Sequence, residues 1–261
     1  MITASVGFQC PECAKTGAKQ SRTISAGQVI HGQVVTPVVT YTLIAVNVAV
    51  YLLGAVADKS VGPGGGAESF FARFALYTPF VGAQGEWYRL ITSGFMHAGL
   101  LHLGFNMWAL YALGPTLETI LGRARYLLLY AASLLGGGLG VVLLFGANEG
   151  ATVGASGAIF GIFGAYAIVE LSRGINPLQS AIGMTIGINL VLTFAINGIS
   201  IGGHIGGLLA GCAGAGILLL GKPIAAQSQG EQNVRMGGVA LLGLACLGAS
   251  IAIAQARYGL A

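Results

Sequence analysis

Residues 150–161 read GATVGASGAIFG and residues 200–211 read SIGGHIGGLLAG, and each run holds one chemically active side chain, Ser156 and His204, among small and apolar residues. The second run continues without a charge to Gly221. That is long enough to cross a bilayer, which takes about 20 mostly apolar residues. The fold these runs imply is all-α, a polytopic bundle of membrane-spanning helices. Polar and ionisable side chains are costly at membrane depth and by default mark a functional site there. Gly203, Gly207 and Gly211 recur every fourth residue. Such a face of small residues lets another helix come very close. His204 lies one residue from that stripe, within reach of whichever helix packs on it.

Composition agrees. Of 261 residues 55% are hydrophobic and 8% charged, against about 25% charged in soluble domains. A soluble fold could not hide that much apolar surface. The 44 glycines suit close helix approach in lipid. The net charge of +4 comes without any basic run interleaved with aromatics, which excludes nucleic acid as a partner. The first thirty residues are polar and lack the apolar stretch of a cleaved signal peptide, so targeting falls to the first membrane helix.

Seven spans are expected, at 37–57, 95–115, 126–146, 155–172, 178–197, 202–221 and 236–256. Residues 1–36 form a polar tail, and residues 222–235 a polar linker. The connection 58–94 holds VGPGGG, FFARFALYTPF and EWYRL; a loop this long, mixing aromatic and polar residues, is expected to be folded. With the N-terminus inside, eight Lys and Arg fall on the cytoplasmic side and four outside, which favours a cytoplasmic tail. Ser156 and His204 then lie toward the outer face at similar depth. Glu118 and Glu170 fall at inner helix ends, where solvated carboxylates are ordinary.

Glycines around Ser156 let the backbone turn tightly and expose the hydroxyl, and a helix N-terminus favours a developing oxyanion. Ala158 stands where the hydrolase elbow G-x-S-x-G has its last glycine. Taken singly, small-Ser-small is a common packing interface and His204 a common interhelical brace. A Ser–His pair in contact would instead let the imidazole take the serine proton. In HAGLLHLGFNMW, His102 and Asn106 stand four apart on one helical face, able to donate to a carbonyl oxygen that turns negative. Three polar insertions at matching depth fit one site better than three independent braces. His97 is placed nearer the surface, orienting the loop. Cys212 and Cys246 read as packing residues. Cys10 and Cys13 make a lone CxxC, half of a tetrahedral zinc set, with His31 the only other N-terminal candidate; a working metal site is not expected, and no cofactor is implied.

GASG, the histidine with glycines at +3 and +7, HxxxN and the Trp-x-Arg of EWYRL together resemble the rhomboid family of intramembrane serine proteases over residues 37–221. The resemblance implies a six-helix catalytic core with a Ser156–His204 dyad. It implies an oxyanion hole from His102, Asn106 and the Ser156 N–H. Trp87 and Arg89 match the motif that shapes the first loop, Gly154 the glycine before the nucleophile, and Gly207 and Gly211 the close-packing glycines. Phe160 stands where many members of the family have a tyrosine that packs on the histidine; stacking can survive that change, but a hydroxyl contact cannot. Residues 222–261 add a linker and a seventh helix, as in part of the family, and FQCPEC resembles the last knuckle of a zinc-binding extension. The implied activity is cleavage of single-pass membrane proteins in a bacterial inner membrane, with the site open to the outer face. A catalytically silent relative would lack a dyad member, and a transporter would want an internal repeat or an intramembrane carboxylate.

Overall fold

The computed structural model describes residues 36–60, 62, 69–144, 150–219 and 221–259, with two short antiparallel pairs, Ile2–Thr3 with Phe8–Gln9 and Val29–Ile30 with Gln33–Val34. The chain forms two compact units, Met1–Thr36 and Pro37–Ala261, and the described helices belong to the second. Cys10, Cys13 and His31 lie outside the described residues.

The architecture is all-α. Seven long helices cover Val38–Asp58 (α1), Leu100–Leu121 (α5), Arg123–Leu144 (α6), Ser156–Ser172 (α7), Ala181–Ala195 (α8), Ile201–Leu219 (α9) and Gln229–Tyr258 (α10). The connection between α1 and α5 is folded, as its composition leads one to expect, into three short helices, Phe70–Phe74 (α2), Thr78–Ala83 (α3) and Arg89–Thr92 (α4). Among the described residues, four helices are long and apolar enough to cross a membrane: α1, α6, α9 with the turn after it, and α10. Large apolar side chains cover the outside, Val56 being 78% exposed and Leu101 77%. Exposed apolar surface on this scale suits lipid rather than water.

Several expected spans differ at their ends from the helices found, α10 most of all, since it begins at Gln229 and not near residue 236. α5 begins at Leu100 and not near residue 95, because Ser93–Phe95 close a 3-10 turn before an extended stretch at Met96. It also runs through Pro115 to Leu121. A proline removes one helical hydrogen bond, and neighbouring groups in a membrane bundle re-satisfy the backbone it frees. α7 and α8 have 17 and 15 residues. At 1.5 Å per residue these reach only about 26 and 23 Å, short of the roughly 30 Å hydrocarbon layer. For α7 the deficit is made up by the irregular segment 150–155. Irregular backbone at membrane depth survives only where protein satisfies it. Here Leu76 and Thr152 exchange both backbone hydrogen bonds, at 3.0 and 2.8 Å, and Gly154 N donates to Ser93 O at 2.9 Å. The folded first loop therefore holds the strand-like approach to Ser156.

Glycine sets the spacing of the central helices. A Cβ on Gly140 would collide with Gly202 O, and one on Gly206 with Gly136 O, which puts α6 and α9 in backbone contact. Gly207 and Gly211 meet Gly157 O and Gly161 O of α7 in the same way. Glu118 corrects the expectation of a solvated carboxylate at an inner helix end. It is fully buried (0% exposed) and accepts from Val39 N, Thr40 N and Thr40 Oγ1 at 3.0, 2.8 and 2.8 Å. The last turn of α5 thus places a carboxylate on the free N–H groups of α1, the end where the helix dipole favours an anion. Glu170, near the end of α7, accepts from Ser180 Oγ at 2.6 Å, at the start of α8.

Candidate active site

Ser156 is the first residue of α7, and the preceding Ala155 offers no side chain to cap the helix. Gly154 has φ +126°, in the region L-residues rarely adopt. Its missing Cβ matters as much as its backbone. A Cβ there would stand 2.8 Å from both Cε1 and Nε2 of His102 and 3.5 Å from Ser156 Oγ. Gly154 is therefore the gap through which the His102 imidazole reaches the neighbourhood of the serine hydroxyl. The other nitrogen of that ring, Nδ1, accepts from Ala98 N at 3.3 Å. A neutral imidazole that accepts at Nδ1 carries its proton at Nε2. His102 consequently presents a donor toward Gly154. Asn106, one turn on, is buried and gives one amide hydrogen to His102 O at 2.8 Å, keeping a second N–H.

His97, expected nearer the membrane surface, is buried within the protein (3% exposed), with its ring edge-on to His102 at 5.1 Å between centroids. The loop before α5 folds inward, and His97 lines a cavity with Tyr51, Gly54 and Asp58 of α1.

His204 lies one turn into α9 and is 8% exposed. Its ring stacks on Phe160, with centroids 3.9 Å apart and planes 17° from parallel. Phe160 is one turn below Ser156 on the same face of α7. Gly157, beside the serine, approaches Gly203 O, beside the histidine; a Cβ on Gly157 would lie 3.2 Å from that oxygen. The packing that glycine permits thus brings the two helix starts, and with them Ser156 and His204, to one locus. Among the described residues no hydrogen bond joins Ser156 Oγ to His204. A small cavity beside the serine is lined by Ser93, Val153, Gly154, Gly157, Ser200 and Gly203 among others.

Arg89 is buried, donating to Ala72 O at 2.6 Å and Ala75 O at 2.7 Å, pairing with Glu86 at 2.5 Å and lying over the Phe80 ring. It gathers the ends of α2 and α3, the stretch that includes Leu76 and its bridge to Thr152. Trp87 is half exposed. Sequence reasoning missed two residues. Ser93 accepts the Gly154 N–H through its carbonyl, and a main-chain role leaves no sequence signal. Thr193 places Oγ1 2.7 Å from His204 Nδ1; its only signal was a hydroxyl in an otherwise apolar helix end. Among the described residues no group of three metal-ligating side chains occurs.

A multi-pass helical bundle with a serine, two histidines and an asparagine converging where irregular backbone enters the core is the outline of a membrane-embedded hydrolase. A profile of the Rhomboid domain matches residues 84–221, more than half of the chain, and the chain belongs to the rhomboid family of intramembrane proteases. It is similar to Rhomboid protease GluP of Bacillus subtilis (strain 168), 36% identical over 189 residues, 71% of this chain and 36% of that protein. It is also similar to YdcA of the same strain, 39% identical over 132 residues, 49% and 66% of the two chains. Rhomboid-type serine protease 2 of Emericella nidulans is 32% identical over 152 residues, 54% and 28%. In each case the shared stretch is less than two thirds of the relative.

Proposed function

We propose that this chain is an intramembrane serine endopeptidase that cleaves single-pass membrane proteins, with Ser156 as nucleophile and His204 as general base and then general acid. The observation that carries the reading is the shared face of α7, on which Phe160 seats the His204 ring one turn below Ser156. Ser156 Oγ attacks the scissile carbonyl carbon as His204 takes its proton, and the carbonyl oxygen becomes an oxyanion. His102 Nε2–H, the Asn106 amide and the Ser156 N–H stabilise that charge. When the C–N bond breaks, His204 returns the proton to the leaving amine. Water then attacks the acyl carbon as His204 takes one of its protons, and His204 returns that proton to Ser156 Oγ as the ester C–O bond breaks and the acid leaves. Apo sites commonly hold such pairs apart and tighten them only with substrate.

The catalytic core is assigned to 37–221, with 1–36 as a cytoplasmic tail and 222–261 as a linker and seventh helix. Trp87 and Arg89 shape the first loop, Gly154 admits the oxyanion donor, and Gly207 and Gly211 set the helix spacing. The reading places the protein in a bacterial inner membrane, and the distribution of Lys and Arg supports an N-terminus inside and a site opening outward. A silent, helix-binding relative is disfavoured because Ser156 and His204 are both present. The test is cleavage of a single-pass membrane substrate in proteoliposomes. Ser156→Ala is expected to abolish product at unchanged expression; undiminished cleavage would reject the assignment.

A further inference from the structure

We infer that Thr193 of α8 is a positioning residue that fixes the His204 tautomer, a reading that rests on the proteolytic role proposed for His204. The argument is a count of protons. Thr193 Oγ1 lies 2.7 Å from Asn189 O and 2.7 Å from His204 Nδ1, and Thr193 is 2% exposed. The hydroxyl has one hydrogen, and a backbone carbonyl can only accept. If the hydrogen pointed at His204, two oxygens would face each other at 2.7 Å inside the protein with no proton between them. The arrangement that satisfies both contacts has Thr193 donating to Asn189 O, in the back-bonded form common for threonine in helices. His204 Nδ1 must then carry the proton and donate it to Thr193 Oγ1. A neutral imidazole with its proton on Nδ1 has its lone pair on Nε2. Nε2 is thereby the nitrogen left to accept a serine proton.

Thr193 thus does, with a neutral oxygen, what a carboxylate does in a triad: it selects the tautomer and holds the ring while Phe160 supports its face. It does not neutralise the imidazolium charge. The two histidines of the site are set in opposite senses. His102, accepting from Ala98 N at Nδ1, is a donor at Nε2, whereas His204, donating at Nδ1, is an acceptor at Nε2. One backbone N–H and one threonine divide identical side chains into an oxyanion donor and a base.

The experiment uses the full chain in proteoliposomes with a single-pass membrane substrate, comparing T193V and T193S with S156A as the inactive reference. T193V, similar in shape but without the hydroxyl, is expected to lose about ten- to a hundredfold in kcat with KM unchanged, and T193S to recover most of the loss. A kcat for T193V close to the unsubstituted value, or equal losses in T193V and T193S with a raised KM, would overturn the inference in favour of packing. Nitrogen NMR of histidine-labelled protein near neutral pH, with H204Q to assign the signal, reads the tautomer directly. A protonated Nδ1 is expected for His204, and an unprotonated Nδ1 refutes the inference. If S156A still cleaves, the proteolytic reading fails, and the tautomer assignment still stands or falls on the NMR.

Discussion

At Gly154, φ is +126° and a Cβ would stand 2.8 Å from the His102 ring. An alanine there suffers twice, from a backbone conformation that costs about 1–3 kcal/mol and from displacement of the imidazole. Gly154→Ala is expected to lower kcat by about 10²–10³, the loss typical of one oxyanion donor, while the protein still inserts in membranes; a kcat within severalfold of the unsubstituted protein would show that His102 is not needed at that position. Ser156, His204, His102 and Asn106, the proposed site residues, draw the eye in the sequence because a polar group in an apolar helix stands out in one dimension. Thr193 does not, since a threonine in a membrane helix satisfies itself on its own backbone, and only a three-dimensional neighbour reveals a second partner. The burial of His97 was hidden for a related reason. The turn that folds residues 96–99 inward depends on α1, which is remote in sequence.

The helices show where hydropathy reads well and where it does not. Apolar runs locate all seven long helices, because a run of that length has few other fates in lipid. They misjudge the ends wherever tertiary contacts replace helical hydrogen bonds, as at Ser93–Phe95 and before Ser156. Glu118 is the sharpest case. Its carboxylate is buried because the N-terminus of α1 supplies three donors, and nothing local in ETILG announces that partner. Glu118→Gln keeps the shape but turns amide hydrogens toward those donors. Hydrogen bonds to a charged group are worth about 1.5–3 kcal/mol, and a loss of that order is expected in detergent unfolding, with the site chemistry intact in the folded fraction. Stability equal to that of the unsubstituted protein would mean that α1 is held by packing alone. Gly140→Leu, which forces a side chain onto Gly202 O, is expected to spread α6 from α9 and abolish both stable folding and cleavage. A folded, active Gly140→Leu protein would contradict the glycine seam.

Over the whole molecule, the first loop and the seventh helix converge on the site's approach. α10 runs along α6, and its Ala254 carbonyl lies where a Cβ of Gly82 in α3 would be. Arg257 donates to Val142 O at 2.5 Å near the end of α6. Leu76, Val81, Leu90, Val141, Val142 and Ala254 form one buried cluster, so α10 and the loop that bridges Thr152 share a core. Gly82→Val is expected to push α3 off α10 and to lower turnover more than expression, as measured by cleavage per folded molecule; normal turnover would show that the seventh helix is a passenger. The buried cluster, the glycine seam and the folded loop serve one arrangement, which brings together a serine at a helix start and a histidine on the neighbouring helix, the proposed dyad. The most direct measurement is mass spectrometry of the full chain after reaction with a fluorophosphonate in proteoliposomes. The account predicts an adduct on Ser156 that disappears in His204→Ala. An adduct undiminished without His204, or one on a different serine, would contradict it.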